Sequence, residues 1–137
     1  MFCQDRTAGA TLGLQALLLL PALVRASSTC DSCALMLEGQ TCTVEGSGSS
    51  AVGDSNTAKG DYSFAMGKDC DATGLYTFAG GVSSEASGSV SFAFGDDAVS
   101  SGVWSTAHGH HAYAKGEKAL AVGHSVTAYG HNSVAFG

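Results

Sequence analysis

The chain has 137 residues, 45% of them hydrophobic and 13% charged, with 19 glycines and a formal net charge of −6. That acidic balance argues against nucleic acid or an anionic membrane surface as a partner, since both are gripped mainly through Lys and Arg. A single proline excludes a collagen helix, which also needs glycine at every third residue.

Residues 1–26 read MFCQDRTAGATLGLQALLLLPALVRA, with an apolar run from Leu12 to Val24. The run is short for a membrane span, and Val24-Arg25-Ala26 offers a cleavage site, so the segment reads as a signal peptide. The expected mature chain is secreted or held at a cell surface and has no membrane span of its own. It keeps four lysines against eleven Asp and Glu, which makes it more acidic than the whole.

Residues 27–43 hold Cys30, Cys33 and Cys42 and read as an N-terminal cap to a 14-residue repeat over residues 44–137. In an exported chain these cysteines are disulfide candidates before they are zinc ligands or a redox pair. Cys42 and Cys70 both stand four residues before a glycine, two repeats apart. A regular stack separates them by about 9–10 Å, beyond the reach of a disulfide. Cys42 is therefore expected to pair with Cys30 or Cys33, and Cys70 to be a buried free thiol.

Glycine sets the period of residues 44–137. It recurs at every seventh position from Gly39 to Gly137, which accounts for fifteen of the 19 glycines. Segments such as SFAMG, TFAGG, SFAFG and SVAFG are apolar and alternate with polar ones such as NTAKG, CDATG and SEASG. The true unit is thus 14 residues. Each half alternates as a short strand does and closes on glycine, which can take the positive φ of a tight turn. Two strands and two turns form one coil of an all-β, parallel β-solenoid, with coils about 4.8 Å apart. A helical reading fails because glycine at every seventh place would cost about 1 kcal/mol each time.

Strand alternation then assigns the faces. Two and four residues before each glycine the side chains are small, mostly Ala and Ser, and these must fill a thin interior. Three and one before it they point outwards. In the polar half these include Thr57, Asp71, Glu85, Val99, Tyr113 and Thr127. In the apolar half they are Val52, Phe64, Met66, Phe78, Phe92, Phe94, His108, Leu120, Val122, Val134 and Phe136. Each aromatic ring buries roughly 150–250 Å², so five phenylalanines exceed the largest apolar patch of an ordinary monomer, about 300–600 Å². The stripe predicts an obligate homo-oligomer, with these residues as its interface.

Three further sets invite a site. Tyr62, Tyr76 and Trp104 form a column at the edge of the stripe, either the rim of the interface or a ladder for a glycan or protein ligand. His110 and His124 each follow a glycine one coil apart and should stack; metal binding would need ligands that the pattern does not supply. His108 breaks the apolar stripe with a titratable group, either a tolerated polar position or a pH-sensitive or anion-binding defect. No nucleophile elbow, zinc-protease, P-loop or dinucleotide motif is present, so neither an enzyme nor a cofactor is expected. An ice-binding β-roll is the rival from another class, but it requires an array of outward threonines that the polar face lacks.

SFAMG, SFAFG and above all NSVAFG resemble the head repeat of YadA-type trimeric autotransporter adhesins, over about residues 44–137. The motif's opening asparagine occurs as Asn132 alone; Tyr62, Tyr76, Val90, Trp104 and Lys118 stand in its place elsewhere. The resemblance implies a left-handed roll, three rolls about a three-fold axis, and adhesion to matrix proteins or glycans. It also implies display at a cell surface, at the outer membrane if the full family architecture applies.

Overall fold

The computed structural model describes residues 41–137, together with the backbone of one earlier strand, Ser32–Leu35. The expected signal peptide, residues 1–26, and Cys30 lie outside the described residues, and Cys33 is described only as part of that strand's backbone.

All regular structure among the described residues is β, and every pairing is parallel between successive coils. Eight strands make one sheet and seven shorter strands a second. In the first, the strands Phe64–Lys68, Phe78–Val82, Phe92–Asp96, Thr106–His110 and Leu120–His124 follow one another in chain order. Their register keeps the repeat strictly: Phe64 pairs with Phe78, Phe78 with Phe92, Phe92 with Thr106, and Thr106 with Leu120. The fold is thus the parallel 14-residue solenoid that the glycine grid predicts.

The two halves of a coil are unequal. The apolar half gives strands of mostly five residues, such as Phe78–Val82, and the polar half gives two-residue strands such as Asp71–Ala72. The shortness has a local cause. The N–H groups of Lys59 and Gly60 both donate to the carbonyl of Ala72, at 2.9 and 3.3 Å, so the ladder pivots and the strand ends. Tyr113–Ala114 ends in the same way, with Lys115 and Gly116 both donating to Ala128.

The core is as thin as the pattern requires. Ala51, Ala58, Ala65, Ala72, Ala79, Ala86 and Ala93 are fully buried, and the largest wholly buried side chains are those of Asn56 and Cys70. Some inner hydroxyls bind back to their own turns: Thr77 donates to the carbonyl of Gly74 at 2.8 Å and Ser105 to that of Gly102 at 2.6 Å, whereas the Ser63 and Ser91 hydroxyls have no hydrogen-bond partner. Asn56 is the most heavily used polar group inside. Its Nδ2 donates to Val52 and Gly67 carbonyls at 2.7 and 2.8 Å, and its Oδ1 accepts from the Cys70 N–H at 2.9 Å.

The glycines do a different job from the one expected of them. Gly60 has no positive φ, yet a Cβ there would collide with the carbonyl of Gly74 on the next coil. Among the described glycines of the seven-residue grid, only those that close the apolar halves take positive φ, as Gly67 does at 118°. The left-handed turn residue is instead two positions later and, among the described residues, is glycine only at Gly48 (φ 64°): Tyr62, Asp69, Tyr76, Ser83, Val90 and Asp97 all lie near 55°. The glycines are there chiefly because the coils approach too closely for any side chain.

The solenoid also departs from the grid at its start. Ser32 pairs with Ser49, an offset of 17 residues, so the count beginning at Gly39 does not carry into the first strand.

Candidate functional site: the outward apolar face and its aromatic edge

Alternation within the longer strands turns Ala inwards and the large apolar groups outwards. Phe64, Phe78, Leu120, Val52 and Val122 are half-buried on that outer face, while Met66, Phe92, Phe94, His108, Val134 and Phe136 are exposed. In-register pairing stacks the rings along the solenoid: Phe64 on Phe78 at 5.6 Å between centroids, and Phe78 on Phe92 at 4.9 Å. Gly80 stands in the Met66–Phe94 column, and its missing side chain gives room to both rings. A Cβ there would lie 2.8 Å from Phe78 and 2.9 Å from Phe94.

The column of Tyr62, Tyr76 and Trp104 sits at the left-handed turn position. Its members are more than half exposed, and Tyr62 and Tyr76 stack with 5.2 Å between centroids and 11° between planes. Their faces are therefore turned to each other, and edges and hydroxyls meet solvent. Val90 comes next, then Trp104, whose ring lies 5.1 Å below the Lys118 ammonium. Between the tyrosines and the phenylalanine stripe runs an open groove of about 320 Å³, floored by Phe64, Thr77, Phe78, Ser91 and Phe92.

The positive φ of these residues does not mark a site. Every half-coil from Ser55 to Asn132 has one, so the strain belongs to the architecture. It does explain why asparagine suits the position, since Asn tolerates this region better than most residues with a side chain.

Four of the five histidines cluster on two successive coils. His110 and His124 stack at 4.8 Å between centroids, the spacing that one coil predicts. His110 lies 3.5 Å from Asp96, and His111 lies 3.5 Å from Asp97. Asp97 also accepts from the Tyr113 hydroxyl at 2.8 Å, which holds that phenol above its ordinary range. His108 projects from the stripe with its ring 5.6 Å from that of Phe94. Among the described residues no group of three His, Cys, Asp or Glu is placed to hold a metal ion. The Asp96 and Asp97 partners were hidden in the sequence, although counting 14 residues back from His110 and His111 finds both.

Cys70 is fully buried, and burial pushes its thiol above the ordinary cysteine range. Cys42 is half-buried, with its sulfur 3.2 Å from the Gly53 carbonyl. No helix among the described residues is long and apolar enough to cross a membrane.

Residues 45–69 and 114–137 match the YadA head domain repeat, in two copies. A search of the curated proteins finds none that matches the chain. The matched segments, residues 45–69 and 114–137, carry the YadA-type head repeat, and both lie within the parallel 14-residue solenoid.

Proposed function

We propose that this chain is a non-enzymatic adhesion module that works outside the cell, assembled as a homotrimer through its outward apolar stripe. One observation carries the reading: three stacked phenylalanines, Phe64, Phe78 and Phe92, face outwards from a chain whose interior is mainly alanine and serine. Such an interior yields little hydrophobic stabilisation, at about 0.8 kcal/mol per buried CH₂. Copies packed against the stripe would bury the large side chains that the core lacks. The match to YadA head repeats supports both the adhesive role and the number three, since that family is one of trimeric surface adhesins.

In this reading the chain is exported through residues 1–26 and Cys42 pairs with Cys30 or Cys33 to close the N-terminal end. The partner is a matrix protein or glycan. The exposed column of Tyr62, Tyr76 and Trp104 at the edge of the stripe is the place we assign to it, since the groove beside the tyrosines is floored by Phe64, Phe78 and Phe92, which the trimer would cover. An ice-binding role is disfavoured. The outward column of the shorter sheet reads Thr57, Asp71, Glu85, Val99, Tyr113 and Thr127 in register, which presents no threonine array.

The test is binding of the purified chain to arrays of immobilised matrix proteins and glycans, beside a Tyr62→Ser, Tyr76→Ser variant. Saturable binding that the variant weakens supports the reading. Retention on no surface above an inert control protein would leave only a structural role for the solenoid.

A further inference from the structure

We propose that self-association through the apolar stripe is acid-labile, with His108 as the group that makes it so; the proposal rests on the reading that further copies cover this face. His108 is in register with Phe94 on one side and Val122 on the other. It is thus the one titratable side chain in a column that otherwise reads Val52, Met66, Gly80, Phe94, Val122 and Phe136.

The charged groups around it are few. Its own strand adds His110, the strand Phe92–Asp96 adds Asp96, and the strand Leu120–His124 adds His124. Across these three strands there is one carboxylate and there are three imidazoles. With the imidazoles neutral the set carries −1. With all three protonated it carries +2, from three positive charges and one negative.

Asp96 already faces His110, with 3.5 Å between Oδ2 and Nε2. His111, at the adjoining turn, faces Asp97 in the same manner. His108 has no such partner; the Phe94 ring and the neutral Thr106 and Val122 surround it. A neutral imidazole can be covered by a second copy at modest cost. A protonated one would be an unpaired charge in an apolar contact, repeated in every copy. Imidazole changes charge between roughly pH 5 and 8, where carboxylates stay ionised, so the face switches while the rest of the acidic surface does not.

Light scattering of the purified chain across a concentration series, at about pH 7.5 and about pH 5, tests this. Circular dichroism at both pH values and the variant His108→Phe complete the experiment. The expected result is an apparent dissociation constant at least roughly tenfold weaker at the lower pH, an unchanged β spectrum, and a variant that stays assembled at both. An assembly equally tight at both pH values overturns the acid switch and leaves self-association standing. A variant that dissociates in acid like the parent, or a parent that unfolds there, overturns the role of His108. A chain that is monomeric even at the higher pH overturns the self-association reading and this inference with it.

Discussion

Phe78 and Phe92 stack with 4.9 Å between ring centroids and 10° between planes. That distance is the spacing of neighbouring strands, about 4.8 Å, so these side chains repeat the translation of the backbone beneath them. The same rule sets Tyr62 on Tyr76 and His110 on His124. A solenoid converts one residue choice into a column, and the outward columns are where this chain differs from coil to coil.

Val90 holds a left-handed conformation, φ 55°, that a β-branched side chain tolerates badly. Val90→Asn should raise stability by about 1 kcal/mol. Thermal unfolding would show it as a higher midpoint, and a lower one would mean that the Val90 side chain contributes packing between Tyr76 and Trp104 that outweighs the strain.

Gly88 has no positive φ, but a Cβ there would strike the carbonyl of Gly102. Gly88→Ala should destabilise by about 3 kcal/mol, as overpacking against fixed backbone does. Gly130→Ala is the control, because its Cβ would meet nothing nearer than Ser133 at 3.7 Å. Equal urea midpoints for the two variants would contradict the close approach of the coils.

Asn56, itself fully buried, satisfies two partly buried carbonyls and one buried N–H at once. Asn56→Leu keeps the branched heavy-atom shape, with bulkier methyl ends, and removes all three bonds, so it should cost about 3 kcal/mol. Chemical denaturation measures this; a loss under about 1 kcal/mol would mean that water or a shifted backbone replaces the amide.

Cys70 gives the fold a pH dependence. Burial raises its thiol above the ordinary value of 9.0, so the unfolded chain ionises first as pH rises. Its contribution to stability is full below that value and is lost as pH climbs towards the raised one. Urea midpoints between neutral and alkaline pH should fall less steeply for Cys70→Ala than for the parent. Tyr113, whose phenol is also raised, leaves a residual slope of the same sign in both.

The repeat, the inward alanines and the outward phenylalanines were legible in the sequence because each choice recurs in every coil. His110 and His124 were equally legible, since one coil is a fixed count of residues. Features set by contacts between coils were not. The left-handed turn position was hidden because Tyr62, Tyr76, Val90, Trp104 and Lys118 occupy it and only Gly48 and Asn132, at the two ends of the column, advertise it. The short strands of the polar half depend on one carbonyl serving two donors, as Ala72 does for Lys59 and Gly60. The 17-residue first step, from Ser32 to Ser49, was not legible either, because the glycine count runs on to Gly39 in sevens and gives no sign of the extra three residues. At the edge of the stripe, the tyrosine column was visible as a pattern, but the face-to-face orientation that closes its ring surfaces was not.

Trimerisation through the stripe stands or falls on the solution mass of the chain at neutral pH, measured by light scattering beside a Phe78→Asp, Phe92→Asp variant. Both phenylalanines lie outside the core, so the variant should keep its β spectrum. A trimeric parent and a folded monomeric variant are the expected result. A parent that is monomeric and folded would show that the exposed stripe needs no covering copy, and would remove the basis for the adhesive trimer.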